Sequence, residues 1–259
     1  MRVPARIAVV LAGVVAATGF TAQGALAAPS GSATTTTKEA AAPAQRPTLK
    51  LGSNGDAVRR LQTRLRQLHY DPGAADGRFE APTQMAVWAF QKVNRLKVNG
   101  TVDAAVWKAL DSPKQPRPLT PRPEADRVDV DLTHQYAVVY KDGRLRLITH
   151  ISAGSGERFC TKDPKAKGKD PKAKAEHCRY AVTPTGDYRT GRRITGWRIA
   201  PLGRLYNPIY FNGGIAFHGA PSVPNYPASH GCVRLPMHIA EYFPKIVGTG
   251  VAVHVRRPA

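Results

Sequence analysis

His218-Gly219-Ala220-Pro221-Ser222-Val223-Pro224-Asn225-Tyr226-Pro227-Ala228-Ser229-His230-Gly231-Cys232-Val233-Arg234-Leu235 gathers two histidines, a cysteine and an arginine into eighteen residues. A cysteine attacks as thiolate, so it needs a base or a positive field beside it. His218 lies fourteen residues before Cys232, His230 two before it and Arg234 two after it. Gly219 and Gly231 remove side-chain bulk next to His218 and Cys232. Glycine at 231 lets the backbone turn sharply and aim amide N–H groups at a developing oxyanion. The set suits acyl transfer: attack on a carbonyl, a tetrahedral intermediate, loss of a leaving group and transfer to a second nucleophile. A zinc site from His218, His230 and Cys232 competes with this reading, but no second cysteine or acidic ligand lies near. A buried structural cysteine also competes, and the polar, glycine-bearing Ser229-His230-Gly231-Cys232 is a poor match to a core strand.

Outward from this stretch, the other two cysteines are Cys160 and Cys178. They flank one hydrophilic segment and are read as a disulfide pair, which leaves Cys232 free. Between them Lys162-Asp163-Pro164-Lys165-Ala166-Lys167 recurs as Lys169-Asp170-Pro171-Lys172-Ala173-Lys174. Its prolines and lack of apolar residues exclude a coiled coil, so it reads as a surface excursion stapled at its base, with a basic flap touching an acidic wall as the functional alternative. Closing it contributes roughly 3 kcal/mol by restricting the unfolded chain. The N-terminus agrees with an oxidising destination. Arg2 and Arg6 precede an apolar run over 7–20, followed by Ala25-Leu26-Ala27, the layout of a secretory signal peptide over residues 1–28. That run is short for a membrane span, and no later run reaches spanning length, so no stable span is expected after cleavage. The formal charge of +20 favours an anionic partner. Export makes nucleic acid an unsuitable one, which leaves acidic lipid or an acidic polymer such as a bacterial wall.

The chain between these ends divides by composition. Residues 29–47, rich in Ala, Thr and Pro, cannot bury a core and read as a disordered spacer. Over 48–111 the periodicity is helical. Val58, Leu61, Leu65 and Leu68 follow an acidic start at Asp56. A second helix from about Pro82 carries Met85, Val87, Trp88 and Phe90, and a third runs from Asp103 through Val106, Trp107 and Leu110. Trp88, Phe90 and Trp107 are expected to centre a small core. Residues 112–123 form a proline-rich, semi-rigid linker. From 124 to 257 the pattern is β: Val128, Val130 and Leu132 alternate with acids, and runs at 137–140 and 145–151 flank the hairpin signal Asp142-Gly143. Further strands are expected at 180–182, 186–189, 198–201, 208–211, 214–217 and 251–255, with one helix over 236–243. Tyr206 and Tyr210 are read as core. Many short strands with turn signals suggest a sandwiched or closed β architecture.

Two resemblances rest on these residues. Leu51-Gly52, Asp56-Ala57-Val58, Leu61-Gln62, Leu65, Asp76-Gly77, Phe79, Thr83, Ala86-Val87, Phe90-Gln91, Gly100-Thr101-Val102-Asp103, Trp107 and Leu110, in that order, resemble the three-helix peptidoglycan-binding domain. His218-Gly219, a loop, and Ser229-His230-Gly231-Cys232-Val233-Arg234, with Thr183-Pro184-Thr185-Gly186 and the lead-in from Tyr210, resemble the L,D-transpeptidase catalytic domain over about residues 125–256. Papain-like proteases place Cys before His, the reverse order, and the Thr-Leu-x-Thr-Cys strand of sortases is absent. The segment between Cys160 and Cys178 departs from the family's pattern.

The resemblance implies a multi-domain chain: a small all-α three-helix peptidoglycan-binding domain and a mostly-β, sandwich- or barrel-like catalytic domain with one or two short helices. It implies Cys232 as nucleophile and His218 as general base and acid. The Gly219 carbonyl would orient the imidazole, and the Gly231 and Cys232 amides would form an oxyanion hole. His230 would support the loop, while Ser229 and Arg234 would hold the loop or bind substrate carboxylates. The substrate would be a peptidoglycan tetrapeptide stem, with release of D-Ala and a 3→3 cross-link as the outcome, in a secreted protein of the bacterial cell wall. Carbapenem-type β-lactams would acylate the cysteine, and neither metal nor organic cofactor is needed. Water as second nucleophile would make an L,D-carboxypeptidase instead, and a non-catalytic wall-binding protein is the third reading.

Overall fold

The computed structural model describes residues 46–162 and 176–259. The expected signal peptide, the spacer up to residue 45 and residues 163–174 of the tandem repeat lie outside the described residues. Three helices open the described chain. In α1 (Asp56–Gln67) an acid sits in the first turn and Arg64 and Arg66 in the last, the charge order a helix dipole favours, and Val58, Leu61 and Leu65 form the buried stripe. α2 (Ala81–Asn94) takes a proline in its first turn and ends on Arg95 in the left-handed region, φ 61°. α3 (Ala104–Asp111) is capped by the Asp103 carboxylate, which accepts from the Val106 amide at 3.0 Å. Gln62 is buried between them, donating to Thr83 Oγ1 and the Arg78 carbonyl and accepting from the Gly77 amide.

The rest is mostly strand: β1 (Arg127–Asp131), β2 (Tyr136–Lys141), β3 (Arg144–His150), β4 (Arg158–Lys162), β5 (Glu176–Tyr180), β6 (Gly186–Arg189), β7 (Trp197–Ala200), β8 (Gly203–Asn212), β9 (Ile215–Gly219), β10 (Val233–Leu235), then α4 (Met237–Ile246) and β11 (Ala252–Arg256). One sheet runs β3-β2-β1-β11-β6, with β1 parallel to β11. The second runs β10-β9-β8-β7, with β10 parallel to β9. β4 and β5 pair as a separate hairpin. Asp142 and Gly143 join β2 to β3 with φ of 52° and 71°, the positive pair a two-residue hairpin turn requires.

Val128, Val130, Ala137, Val139 and Leu147 of the first sheet share a core with Ile209, Phe211, Phe217, Val233 and Leu235 of the second, and α4 adds Ile239, Ala240 and Phe243. The first sheet is buried on its other face as well. There Tyr136, Val138 and Ile148 join Phe90, Trp107 and the apolar stripes of α1–α3 in one cluster. β2 thus carries apolar side chains on both faces, as a strand covered on both sides does. Polar ties cross the same junction: the Ile148 amide donates to His69 O at 2.8 Å, and the Tyr242 hydroxyl to Asp71 Oδ2 at 2.7 Å.

Three details differ from the sequence reading. Trp88 does not centre the helical core. It is half-buried and meets His150 edge to face, with ring centroids 5.3 Å apart. The strand expected at 180–182 lies earlier, as β5. β4 and β10 have no counterpart among the expected strands: Phe159 is the only large apolar residue of β4, and β10 is three residues long.

Candidate active site

β9 and β10 set the chemistry in place. Their register puts Arg234 opposite His218 and Val233 opposite Phe217. Side chains alternate across a strand, so Phe217, Val233 and Leu235 enter the core while His218 and Arg234 turn to the other face. Cys232, one residue before β10 and in phase with Arg234, joins them in a cleft of about 750 Å³. Arg179, Arg192, Arg198, Arg204 and Arg234 line this cleft, and none of its described lining residues is acidic. Arg192 lies over the Tyr210 ring at 4.3 Å and Arg204 over Trp197 at 4.5 Å, which fixes both guanidiniums by cation–π contact. Tyr210 is therefore a cleft residue rather than a core one. Tyr206 packs half-buried against the core, its hydroxyl donating to Glu241 at 3.0 Å.

His218 is 6% exposed. Its Nδ1 lies 2.9 Å from the Gly219 carbonyl oxygen. A carbonyl can only accept, so Nδ1 carries the proton and Nε2 keeps its lone pair. Burial lowers the imidazole pKa to about 4; the Gly219 bond opposes this and the Arg234 charge adds to it. Burial also pushes the Cys232 thiol up, against a backbone contact at Ala216 and the Arg234 charge. Cys232 Sγ is 3.7 Å from the Gly214 carbonyl. At neutral pH both groups therefore rest uncharged, the thiol protonated and the imidazole neutral.

The loop before Cys232 is held by its own residues. Ser229, 3% exposed, accepts from the Gly231 amide at 3.0 Å and donates to the Cys232 carbonyl at 2.5 Å. The Gly231 N–H is thereby engaged, and Ser229, which also lines the cleft, is tied into the loop by both bonds. Gly231 has φ 133°, and a Cβ there would sit 2.9 Å from the Val182 carbonyl, so the position demands glycine. Gly219 is needed for a different reason: a Cβ would come within 2.7 Å of Ala240 Cβ on α4. Thr183 donates to the Gly231 carbonyl at 2.7 Å and accepts from the Gly154 amide at 2.9 Å. The sequence flagged Thr183 within a motif but gave it no role. Ala153, which had no signal in the sequence, accepts from both Ala228 N and Ser229 N through its carbonyl.

His230 is separated from His218 in kind. It is exposed, and its ring meets Phe159 of β4 at 4.7 Å, edge to face. The Cys160–Cys178 disulfide is present and joins directly opposed residues of β4 and β5. Among the described residues no three His, Cys, Asp or Glu side chains converge in a metal-ligand group.

Comparison with known proteins agrees with this layout. Residues 54–110 match the peptidoglycan binding domain family, and residues 125–255 the L,D-transpeptidase catalytic domain family. The crystal structure of an L,D-transpeptidase from Xylanimonas cellulosilytica is 34% identical, with 83% of this chain and 100% of that chain covered and a TM-score of 0.71. An L,D-transpeptidase from Stackebrandtia nassauensis is 22% identical over 81% of this chain and 96% of its own, at a TM-score of 0.44. The carboxy-terminal processing protease CtpB of Bacillus subtilis shares 36% identity over 63 residues, 24% of this chain but only 13% of that protease's length. With a family match over half its length and a relative of one-third identity covered end to end, this chain belongs to the L,D-transpeptidase catalytic domain family and carries a peptidoglycan binding domain ahead of the catalytic one.

Proposed function

We propose that the protein is exported to the cell wall and cross-links peptidoglycan through a thioacyl-enzyme on Cys232. The observation that carries this is the common face of β9 and β10, which presents His218, Cys232 and Arg234 to one arginine-lined cleft. His218 Nε2 takes the thiol proton as Sγ attacks the carbonyl at the L-centre of the third residue of a tetrapeptide stem. With the Gly231 amide engaged, the Cys232 amide is the loop donor left for the oxyanion. The C–N bond to D-Ala breaks, and its nitrogen takes the proton from His218. An amine of a second stem then attacks the thioester, giving up a proton to His218, and the thiol is restored. Stems are rich in carboxylates, which planar guanidiniums bind bidentately. The same attack on a carbapenem carbonyl opens the lactam and leaves a stable adduct.

The test is incubation with purified tetrapeptide stems followed by separation of the products. We expect 3→3 dimers and free D-Ala, with neither from Cys232→Ala. Tripeptide monomers alone would make the protein an L,D-carboxypeptidase. Unchanged stems, together with no mass adduct after carbapenem exposure, would leave a wall-binding protein without catalysis.

A further inference from the structure

Lys92 of α2 is 5% exposed and His150, the last residue of β3, is 1% exposed. Lys92 Nζ donates to the Gln135 carbonyl at 2.9 Å and lies 2.7 Å from His150 Nδ1. His150 Nε2 in turn lies 3.1 Å from the carbonyl oxygen of Val223. Val223 belongs to the loop of residues 220–231 that carries the chain from β9 back to Cys232. A lysine ammonium has three donors and no acceptor, so it forces His150 Nδ1 to accept. The one proton of the neutral ring then sits on Nε2, where it is donated to Val223. The Val223 carbonyl, which can only accept, asks for the same tautomer, so the ammonium and the carbonyl hold it from opposite sides of the ring, and without the ammonium the carbonyl is left to do so alone.

Resting on the reading of Cys232 as nucleophile, we propose that Lys92 is a positioning residue: from the peptidoglycan-binding helices it fixes the His150 tautomer that anchors the loop leading to Cys232. The geometry gives the loop a second tie to the same module, Asn225 Nδ2 to the Val98 carbonyl at 3.3 Å. Ser152, just past β3, adds a third anchor by donating to the Tyr226 carbonyl at 2.8 Å. The charged and titratable surroundings are few. Asp131 on β1 faces Lys92 across the junction and is bonded to His134 at 2.8 Å, while the Trp88 ring packs on His150 from α2. Burial and the Lys92 charge hold the His150 imidazole down to about 3, so it stays neutral at pH 6. Burial lowers Lys92 to about 7, with Asp131 opposing, so it is mostly charged at that pH.

The first measurement needs no altered loop. In the full chain labelled with ¹⁵N-histidine, the His150 ring signal, assigned by its loss in His150→Gln, reports the tautomer at pH 6. The proposal expects the Nε2–H form; the Nδ1–H form or an imidazolium overturns it. The second measurement is the rate of Cys232 acylation by a carbapenem, read by intact mass with Cys232→Ala as control. We expect Lys92→Met and His150→Phe each to slow it by about tenfold to a hundredfold, the scale of a misplaced reacting group. The double variant should be no slower than either single one, because both changes break one relay. Losses that multiply, or a Lys92→Met rate equal to wild type, overturn the proposal. Absence of the adduct on the wild-type chain would instead refute the nucleophile reading, leaving the tautomer result to stand or fall alone.

Discussion

At the scale of residues, the division of labour we propose between the two histidines rests on strand phase. Sequence spacing put His230 nearer to Cys232 than His218, and the preference for His218 as the base rested on family likeness. The register of β9 against β10 supports it: His218 is held opposite Arg234 on a strand, whereas His230, which lines the same cleft, lies in the loop with its ring against Phe159. Register depends on which strands become neighbours, and no local motif encodes that. The lowered His218 pKa gives a pH expectation with a definite sign. An imidazole that titrates at about 4 remains a competent base above that value and is lost only as the pH falls through it. We therefore expect Cys232 acylation to hold its rate from pH 7 down to pH 5 and to fall below about pH 4.5, near the lowered value and well under the ordinary histidine range. A stopped-flow pH profile that collapses around 6.5 would contradict this. His218→Ala should cost a factor of about 10² to 10⁴, the usual worth of a general base.

At the scale of elements, the β4–β5 hairpin bridges a structural staple and the catalytic loop. Cys160 and Cys178 close it, Phe159 beside Cys160 touches His230, and Arg179 beside Cys178 lies over the Phe159 ring at 5.2 Å and lines the cleft. The cysteine pairing was legible from the odd count and the hydrophilic segment between them. The strands were not, because the sequence there lacks a strong apolar alternation and ends in a lysine-rich repeat. We expect Cys160→Ser/Cys178→Ser to lower the unfolding midpoint by roughly 5–10 °C, from a staple worth about 3 kcal/mol. Phe159→Ala should leave the midpoint within about 2 °C and slow acylation several-fold, since it removes one aromatic contact worth about 1 kcal/mol beside the loop. Calorimetry and intact-mass kinetics on the same samples separate the two effects. A Phe159→Ala variant acylated at the wild-type rate would show that the hairpin does not brace His230.

At the scale of the molecule, the helices and the strands share a hydrophobic core. The residues that make this so lie in β2. Tyr136-Ala137-Val138-Val139-Tyr140 is apolar without alternation, which signals cover on both faces. Read only as a hairpin arm, it left the helical segment as an independent module on a proline linker. The misplacement of Trp88 has the same origin, since its partner His150 lies across the junction. A chain spanning 124–259 would expose Tyr136, Val138 and Ile148, all nearly fully buried here. We expect that fragment to be less stable by several kcal/mol, at roughly 1.5–3 kcal/mol for each such side chain uncovered, and prone to aggregation. The chain from residue 46 onward should unfold in one cooperative calorimetric transition; two resolved transitions would refute the joint core.

The raised pKa of Cys232 has a consequence for the chemical lifetime of the protein. Peroxides and disulfides react with thiolates, and the path from sulfenic to sulfonic acid begins from that ionised form. A thiol whose pKa burial pushes up offers oxidants less thiolate to attack than an ordinary cysteine does. We expect peroxide to oxidise this sulfur more slowly than it does an ordinary cysteine thiol.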